Sequence, residues 1–224
     1  MYFFYIFEVN STQDHSKALN LLHSADVSFW VQSRYQTCGR GQRGKSWSSF
    51  DGNLFLTGSF LLPKTNILGQ FSIMTGVFLA KILQLFLPDQ RMGLKWPNDL
   101  LCDHKKIGGI LMEVEDSRVY VGIGINIVSH PDGTNMPSTH AQAYNNIDMD
   151  ALIKKIMECL PGFWALENFE KIREEWWLFA KDSVLFWKVR EPLEGEIIGI
   201  DEQGQLLMVT KNGDIAKRHQ AFTE

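Results

Sequence analysis

The chain has 224 residues, 45% of them hydrophobic and 21% charged, which is enough for one sizeable globular core. Its net charge of −4 excludes the strongly basic footprint of a general nucleic-acid or anionic-membrane binder. Its three cysteines lie far apart without metal-ligand spacing, which excludes a disulfide framework and favours the cytoplasm.

Hydrophobic spacing divides most of the chain into strands and helices. The first strand is short and lacks a basic start, so we interpret it as a buried strand and not a signal peptide. Prolines and small polar residues at 129–146 predict a loop. The predicted strands are 2–9, 27–31, 53–62, 91–96, 100–102, 107–114 and 118–127. The predicted helices are 12–23, 68–87, 148–160 and 163–180.

From Asp182 onwards, short apolar runs are separated by turns. The pair Asn212-Gly213 is a strong hairpin signal. The predicted strands in this part are 184–189, 193–200 and 205–210. The sequence therefore predicts two domains, with the chemistry in 1–181 and a small β-barrel appendage in 182–224.

The most informative stretch is a glycine-rich loop that ends at Trp47. Its glycines let backbone N–H groups approach a ligand closely, and its basic residues add positive charge. Its tryptophan offers a flat aromatic face. These features favour a ligand that combines an anion with a ring, such as a nucleotide. The residues concerned are Gly39, Arg40, Gly41, Arg43, Gly44, Lys45 and Trp47.

The glycine pattern G-x-G-x-x-G in this loop also matches the dinucleotide-binding fingerprint. That fingerprint needs an apolar helix after the glycines, whereas residues 45–53 are polar and turn-forming. It also needs an acidic residue about 20 positions later, where Pro63-Lys64-Thr65 stands. The dinucleotide reading therefore fails, and a phosphate loop and an exposed arginine–glycine segment remain as alternatives.

Three further stretches share the character of the glycine-rich loop. Residues 95–100 place a cation, a rigid turn and a carboxylate at the end of a strand. Residues 106–111 place a lysine just ahead of two glycines. In residues 122–126 the alternate positions 122 and 124 are glycine, as expected of a strand that forms the bottom of a pocket. Four such stretches in one chain indicate a binding site.

On these stretches the sequence resembles a biotin protein ligase of the biotin–[acetyl-CoA-carboxylase] ligase type, across nearly its whole length. The matching segments are 11–13, Gln36 with the loop 39–44 and Trp47, 95–100, 106–111 and 122–126, and residues 199–207 resemble the family's C-terminal SH3-like domain. The resemblance implies an α+β fold: a mixed-sheet catalytic domain of the class II aminoacyl-tRNA-synthetase and biotin ligase type, with a small SH3-like β-barrel. Only ten residues precede Ser11, so we expect the monofunctional form without the N-terminal DNA-binding domain of some members.

The resemblance implies an ATP-dependent ligase. The carboxylate of biotin attacks the α-phosphate of ATP, giving biotinyl-5′-AMP and pyrophosphate. A lysine of a biotin carboxyl carrier protein, the acetyl-CoA carboxylase subunit, then takes the biotinyl group. Two anions meet in the first step, so cations and N–H donors are the main electrostatic requirement, and ATP implies Mg²⁺. We expect neither DNA nor a membrane as partner, and a homodimer stays an option.

The resemblance also implies roles for individual residues. Lys106 contacts the biotin carboxylate and the α-phosphate, Arg40 folds over the acyl-phosphate, and Asp99 is a candidate base for the acceptor lysine. Trp47 stacks on adenine, and Asn126 forms a hydrogen bond with it. The residues that bind the ureido ring and its surroundings are Ser11, Thr12, Gln13 and Gln36. The remaining residues implied in biotin or adenylate binding are Gly39, Gly41, Gln42, Arg43, Lys95, Asn98, Gly108 and Gly124.

Each role has a structural alternative. Lys106 could be a solvated turn lysine, and Asp99 could cap a turn. Ser11 could be a helix N-cap, Trp47 could fill the core, and the glycines of 122–124 could serve sheet packing. A functional site would in addition need to exclude water from the hydrolysable adenylate, so we expect the loops 39–52 and 129–146 to close over it.

One position departs from the family pattern. Many relatives have arginine where Gln42 stands, so one positive charge over the phosphate is absent. This predicts weaker retention of the adenylate. The segment 129–146 also matches the family poorly, so no adenine contact is carried over to it.

Two other functions stay open. A lipoate ligase or octanoyltransferase would share the fold, but residues 95–100 belong to the biotin enzymes, and octanoyl chemistry would need Cys38 or Cys102 as nucleophile. A non-enzymatic RNA-binding or interaction module could use the arginine–glycine loop and the β-barrel. The acidic composition opposes that alternative.

Overall fold

A computed structural model describes residues 1–22, 27–61, 68–115, 117–134, 136–186 and 195–219. Seven strands form one mixed sheet in the order β1-β2-β3-β7-β6-β5-β4, in which only the β1–β2 pair is parallel. The predicted α+β class with a mixed sheet is confirmed. The strands are β1 (Tyr2–Val9), β2 (Phe29–Gln36), β3 (Leu54–Leu61), β4 (Met92–Lys95), β5 (Asp99–Cys102), β6 (Lys105–Glu115) and β7 (Arg118–Ile125). The helices are α1 (Thr12–Asn20), α2 (Leu68–Phe86), α3 (Met149–Leu166) and α4 (Phe169–Phe186).

The two faces of the central strands carry different side chains, because successive residues of a strand point to opposite faces. Leu56, Ile123 and Ile110 are neighbours across β3, β7 and β6 and belong to the hydrophobic core against α2. The adjacent row on the opposite face contains Gly124 and Gly109. α1 packs on that opposite face, against β2, β3 and β7. The glycines beside α1 leave space for a cleft.

The helix α2 is the central helix of the core. Within the described part of the chain it is the one helix long and apolar enough to cross a membrane, but 72% of its apolar window is buried inside the protein. Its hydroxyl groups are also satisfied internally, since Thr75 donates to the carbonyl of Phe71 (2.7 Å) and accepts from the indole of Trp164 (3.1 Å). This burial identifies α2 as a core helix.

The boundary between the last two helices differs from the prediction. The sequence predicts a break at Pro161, whereas α3 continues through it to Leu166 and α4 begins at Phe169. A proline inside a helix removes one backbone hydrogen bond. Packing of Phe163 on Phe78, with 5.3 Å between ring centroids, holds the next turn against the core. Tertiary contacts therefore outweigh the local signal.

The first strand has the predicted bounds but not the predicted burial. β1 lies at the edge of the sheet, and Phe3, Tyr5 and Phe7 are exposed to 45%, 56% and 64%. The prediction of a buried strand is wrong because an aromatic sequence does not show whether other elements cover it. Edge position is a property of the sheet order.

The C-terminal strands β8 (Gly195–Ile200), β9 (Leu206–Thr210) and β10 (Ile215–Arg218) form an antiparallel sheet of their own within the described residues. The predicted strand 184–189 is wrong over 184–186, which are helical, and 187–189 and 193–194 lie outside the described residues. The indole of Trp96 donates to the carbonyl of Gly204 (3.0 Å), and Arg173 donates to that of Ile200 (3.0 Å). These bonds attach the small sheet to the main body.

Candidate functional site

A cleft of about 1480 Å³ opens on the sheet face that carries α1. Its lining comes from the glycine-rich loop, from the start of α1, from β6 and β7, and from the turn that joins β4 to β5. It includes fifteen of the seventeen predicted site residues: Ser11, Thr12, Gln13, Gln36, Arg40, Gly41, Gln42, Arg43, Trp47, Lys95, Asn98, Asp99, Lys106, Gly124 and Asn126. The structure thus brings four separate sequence stretches to one place.

Gly39 and Gly108 are the two predicted residues that do not line the cleft. A side chain at Gly39 would come within 2.6 Å of the backbone oxygen of Trp47, and one at Gly108 within 2.8 Å of that of Gly124. Their lack of a side chain lets backbone segments pack closely behind the cleft. Their contribution is to the shape of the wall.

The floor of the cleft is the glycine row of β7 and β6, on which the indole of Trp47 lies. A Cβ at Gly124 would come within 2.7 Å of the indole, and one at Gly109 within 3.0 Å. Real Cβ atoms essentially never make contacts under 3.0 Å. Glycine at 124 is therefore what lets the ring lie flat on the sheet. The indole Nε1 is buried and has no acceptor among the described residues.

The first turn of α1 forms a buried polar network at one end of the cleft. Gln36 accepts from the backbone N–H and the hydroxyl of Thr12 (2.8 and 3.1 Å). Gln13 donates to the carbonyl of Tyr120 (3.2 Å) and accepts from the hydroxyl of Thr57 (3.3 Å). Satisfied polar groups of this kind are fixed in orientation, which suits recognition of a small polar ring.

Ser11 is the N-cap of α1, because its hydroxyl accepts from the backbone N–H of Gln13 (3.2 Å). The structural alternative for Ser11 is thus present in the fold. The residue also lines the cleft, so the two roles coexist.

A cluster of cations surrounds one carboxylate in another part of the cleft. The Nζ of Lys106 lies 2.5 Å from Asp99 Oδ1 and 5.3 Å from the centre of the Trp47 ring, and the Nζ of Lys95 lies 3.9 Å from Asp99 Oδ2. Burial lowers the pKa of Lys95, and Lys106 and Lys45 lower it further against the attraction of Asp99. Repulsion between cations around one acid indicates a site that favours an additional anion.

Two polar residues near this cluster are held by the backbone. The amide of Asn98 donates to the carbonyl of Ile110 (2.8 Å), and that of Asn126 donates to the carbonyl of Thr139 (3.0 Å). Both residues line the cleft. Asn98 fixes the turn between β4 and β5, and Asn126 fixes the loop that follows β7.

The glycine-rich loop is closed by its own backbone. Gly41 N–H donates to the carbonyl of Lys45 (2.7 Å), and Trp47 N–H donates to that of Gly39 (2.8 Å). The tip has left-handed backbone at Arg43 (φ 57°) and Gly44 (φ 71°). The glycine at 44 is therefore a turn requirement in addition to any ligand contact.

Arg40 anchors this loop to the sheet. Its guanidinium makes a bidentate pair with Glu113 (2.7 and 2.8 Å) and contacts Asp14 of α1 (2.6 Å). Glu113 is 3% exposed and also lies 3.5 Å from Lys17 of α1. Burial opposes ionisation of Glu113, but Arg40 and Lys17 outweigh it and hold its pKa below the ordinary 4.5. Glu113 and Asp14 carry no sequence motif, so this anchor is not predicted.

Replacing Glu113 with glutamine should loosen the glycine-rich loop. The variant loses the charge-assisted bidentate bond, at a cost of about 1–2 kcal/mol in the free energy of unfolding, since Arg40 is about a third exposed. The matched variant Glu115→Gln, on the same strand but half exposed, should cost under about 0.5 kcal/mol. Urea unfolding measures both.

The pH dependence of this difference follows from the sign of the pKa change. Because the pKa of Glu113 is lowered by folding, its stabilisation is full above the unfolded value and disappears as pH falls through the folded value. Glu113→Gln and the parent chain should therefore converge in stability at acid pH. A difference that persists unchanged in acid would contradict the anchor.

Further lining residues come from the loop 129–146, which the sequence predicts to close over the site, and from the C-terminal sheet, which carries no such prediction. The segment after β7 reaches back over β6, with Lys106 N–H bonded to the carbonyl of Pro137 (2.8 Å) and Thr139 N–H to that of Lys106 (2.9 Å). The small C-terminal sheet also reaches the cleft. The residues concerned are Pro131, Gly133, Thr134, Met136, Ser138, Ile197, Leu206 and Arg218. Contacts between distant parts of a chain leave no mark on local pattern.

A family model described as the Biotin/lipoate A/B protein ligase family matches residues 6–128. The chain is 30% identical to the biotin–[acetyl-CoA-carboxylase] ligase of Paracoccus denitrificans, over 87% of this chain and 89% of that protein. It is 30% identical to the bifunctional ligase/repressor BirA of Bacillus subtilis, over 96% of this chain and 71% of that protein.

The fold is similar to that of a biotin protein ligase from Aquifex aeolicus, solved in complex with biotin and ATP. The TM-score is 0.79 at 26% identity, and the match covers 96% of this chain and 94% of the other.

Proposed function

This chain belongs to the Biotin/lipoate A/B protein ligase family, and from that premise we propose that it is a biotin protein ligase. It activates biotin with ATP to biotinyl-5′-AMP and transfers the biotinyl group to a lysine of the carboxyl carrier protein of acetyl-CoA carboxylase. The observation that carries the proposal is Lys106 in a cleft whose described lining contains six cationic side chains and one carboxylate, Asp99.

The electrostatics of the cleft suit the first reaction. A carboxylate must approach a triphosphate, and fixed cations in the cleft lower the repulsion between them. We infer that Lys106, which pairs with Asp99 and lies 5.3 Å from the centre of the Trp47 ring, contacts both reactants at their junction. The polar network of Thr12, Gln13 and Gln36 suits the ureido ring at the other end of the cleft.

The nucleotide is assigned to the part of the cleft beside Trp47 and Asn126. Trp47 lines the cleft, which supports a stacking role for its ring there. No group of three His, Cys, Asp or Glu side chains in the described ranges could hold a metal alone. Mg²⁺, which ATP implies, would arrive with the nucleotide, held largely by phosphates and water, and it would neutralise phosphate charge.

The exchange Asp99→Asn tests the assignment of Asp99 as base for the acceptor lysine. We expect transfer from preformed biotinyl-5′-AMP to fall about 100-fold or more, and adenylate formation to fall less, because a general base acts only in the transfer step. Single-turnover assays separate the two rates. Equal losses in both steps would show that Asp99 is not the base for the acceptor lysine and acts only as the ion-pair partner of Lys106.

The exchange Gln42→Arg tests the effect of the missing loop cation. Gln42 lines the cleft, so an added guanidinium should slow release of biotinyl-5′-AMP by about 5- to 10-fold through one charge-assisted hydrogen bond. Release is measured by trapping free adenylate after rapid dilution. The exposed Gln203, in the turn between β8 and β9 and outside the lining, gives the charge-matched control Gln203→Arg. Equal release in both would show that residue 42 does not face the phosphate.

The acyl-transfer alternative needs a cysteine nucleophile. Cys102 is fully buried in the core, and burial raises its pKa to about 12, so it holds almost no thiolate at neutral pH. Cys38 is exposed and does not line the cleft. These observations favour adenylation over octanoyl transfer. The interaction-module alternative has no observation in its favour beyond the loop charges.

Further features of the protein belong to the same proposal. Residues 1–181 and 182–224 are taken as catalytic and SH3-like domains, with the sheet of β8, β9 and β10 as the described part of the latter. The protein acts in the cytoplasm, where its free cysteines suit reducing conditions, and neither DNA nor membrane is its partner.

Incubation with labelled biotin, ATP and the folded carrier protein tests the function. We expect the label on one lysine of the carrier protein. A carrier protein that stays unlabelled would contradict the proposal.

A further inference from the structure

The backbone of Lys106 is held on one side by a segment from outside the main sheet. The pairing of β6 with β7 begins at Gly108, so among the described strands Lys106 has no partner in β7. Its N–H donates to the carbonyl of Pro137 (2.8 Å), and its carbonyl accepts from the N–H of Thr139 (2.9 Å). The segment 136–140 therefore takes the place of a neighbouring strand, and its contact fixes where this lysine lies.

A pair of histidines closes the base of this segment. The Nδ1 atoms of His130 and His140 lie 2.7 Å apart, and the two half-buried rings are stacked with 5.0 Å between their centroids. His130 lies on the chain that leaves β7, and His140 is the last residue of the segment. Ser138 adds a second cross-link, because its hydroxyl donates to the carbonyl of Pro131 (2.7 Å). The histidine contact therefore joins the outgoing chain to the segment beside the lysine.

The short distance between the two Nδ1 atoms limits the number of protons that the pair can hold. A neutral imidazole carries a proton on one ring nitrogen and accepts at the other. One Nδ1–H can thus donate to the other Nδ1 in the neutral pair, and it still does so when the donor ring gains a proton at Nε2. With both rings charged, both Nδ1 atoms carry protons. The hydrogen bond is then lost and two positive charges face each other.

The protonation of the pair depends mainly on the two rings themselves. Burial, and after it the charge of His130, lower the pKa of His140 below the ordinary 6.5. His140 is therefore the second ring to take a proton and the acceptor at neutral pH. The other charged or titratable residues on this part of the chain and on the elements beside it are not among the causes of that change. Within the described ranges they are Asp51, Asp132, Tyr144 and residues 103–106.

We propose that His130 and His140 are positioning residues for Lys106. Their hydrogen bond keeps the segment 136–140 against the Lys106 backbone at neutral pH and releases it once both rings are protonated. Because the closed pair takes its second proton less readily than a free imidazole does, the closed state loses stability as the pH falls below the ordinary histidine value. The effect on the reaction rests on the proposed function, in which Lys106 contacts both reactants.

Two variants separate the hydrogen bond from its pH dependence. In His130→Asn the amide takes the place of Nδ1, where it can donate to neutral His140 and, after rotation, accept from the charged ring. This variant should keep the segment in place at every pH, whereas His140→Ala should release it at every pH. The exposed His219, outside the cleft lining, gives the control His219→Ala, which should behave as the parent chain. Circular dichroism and thermal melting check that all three variants are folded.

Amide hydrogen exchange at Lys106 and Thr139 tests the proposal without any substrate, because these two N–H groups form the contact. At about pH 7.5 we expect equal exchange in the parent chain and in His130→Asn, and about 10-fold faster exchange in His140→Ala. At about pH 5 the parent chain should exchange about 10-fold faster than His130→Asn, since only the parent pair is then doubly charged. Comparison at one pH removes the intrinsic pH dependence of exchange.

Biotin-dependent exchange of pyrophosphate into ATP gives the functional readout. Between the same two pH values, the rate should fall about 5-fold more in the parent chain than in His130→Asn. Equal amide exchange of these two proteins in acid, or full protection of the contact in His140→Ala, would overturn the proposal. The expected amide exchange in a folded chain that does not activate biotin would support the positioning of Lys106 and contradict the proposed function instead.

Discussion

Replacing Lys106 with alanine should reduce biotin-dependent exchange of pyrophosphate into ATP by about 1,000-fold, which is the loss seen when a central transition-state donor is removed from a preorganised site. Lys106 contacts Asp99 at 2.5 Å, lines the cleft and lies beside the Trp47 ring. Without its charge, the incoming carboxylate and the α-phosphate repel each other with less compensation.

Two further variants show whether the loss is specific to Lys106. Lys105→Ala removes the adjacent exposed lysine of β6, outside the cleft lining, and should change the exchange rate less than about 2-fold. Removal of Lys106 also leaves Asp99 without its closest cation, so the double variant Lys106→Ala with Asp99→Ala is needed. Recovery in the double variant would mean that an unpaired carboxylate, and not the missing lysine, caused the loss.

Replacing Gly124 with alanine should have the second largest effect. Its Cβ would meet the Trp47 indole at 2.7 Å, so the ring must leave the sheet, at about 1–3 kcal/mol for an overpacked contact. We expect the Michaelis constant for ATP to rise about 10- to 100-fold, since Trp47 then no longer faces the nucleotide. Initial rates at varied ATP measure this constant, and tryptophan fluorescence reports the ring.

The matched control for this change is Gly162→Ala in α3. A Cβ at Gly162 meets no atom within 4 Å, and alanine in place of glycine inside a helix stabilises it by about 0.5–1 kcal/mol. Activity should be unchanged in this variant. If Gly124→Ala binds ATP as tightly as the parent chain, the indole has no part in holding the nucleotide.

The features that could be predicted from the sequence are those with a local signature. The glycines of β7 and the lysine ahead of the glycines in β6 indicate a cleft from the sequence alone. Missing side chains in a strand and a cation beside a turn are both visible in the sequence. The core helix α2 follows from apolar spacing alone. Most of the proposed binding residues follow from the family resemblance, and they line one cleft in the structure.

The features that could not be predicted depend on contacts between distant parts of the chain. Glu113 is an acidic residue in an apolar strand, and only the fold places Arg40 and Lys17 beside it. The exposure of β1 depends on the sheet order, and the passage of α3 through Pro161 depends on Phe163 reaching Phe78. Local pattern carries no information on such partners.

The most direct test of the account is exchange of labelled pyrophosphate into ATP by the parent chain, with biotin, lipoate or octanoate supplied one at a time. The cationic cleft with its polar network around Gln13 and Gln36 predicts rapid exchange with biotin and none above background with the other two acids. Exchange supported by lipoate or octanoate, or no exchange with biotin by a folded protein, would contradict the central claim that this cleft activates the biotin carboxylate.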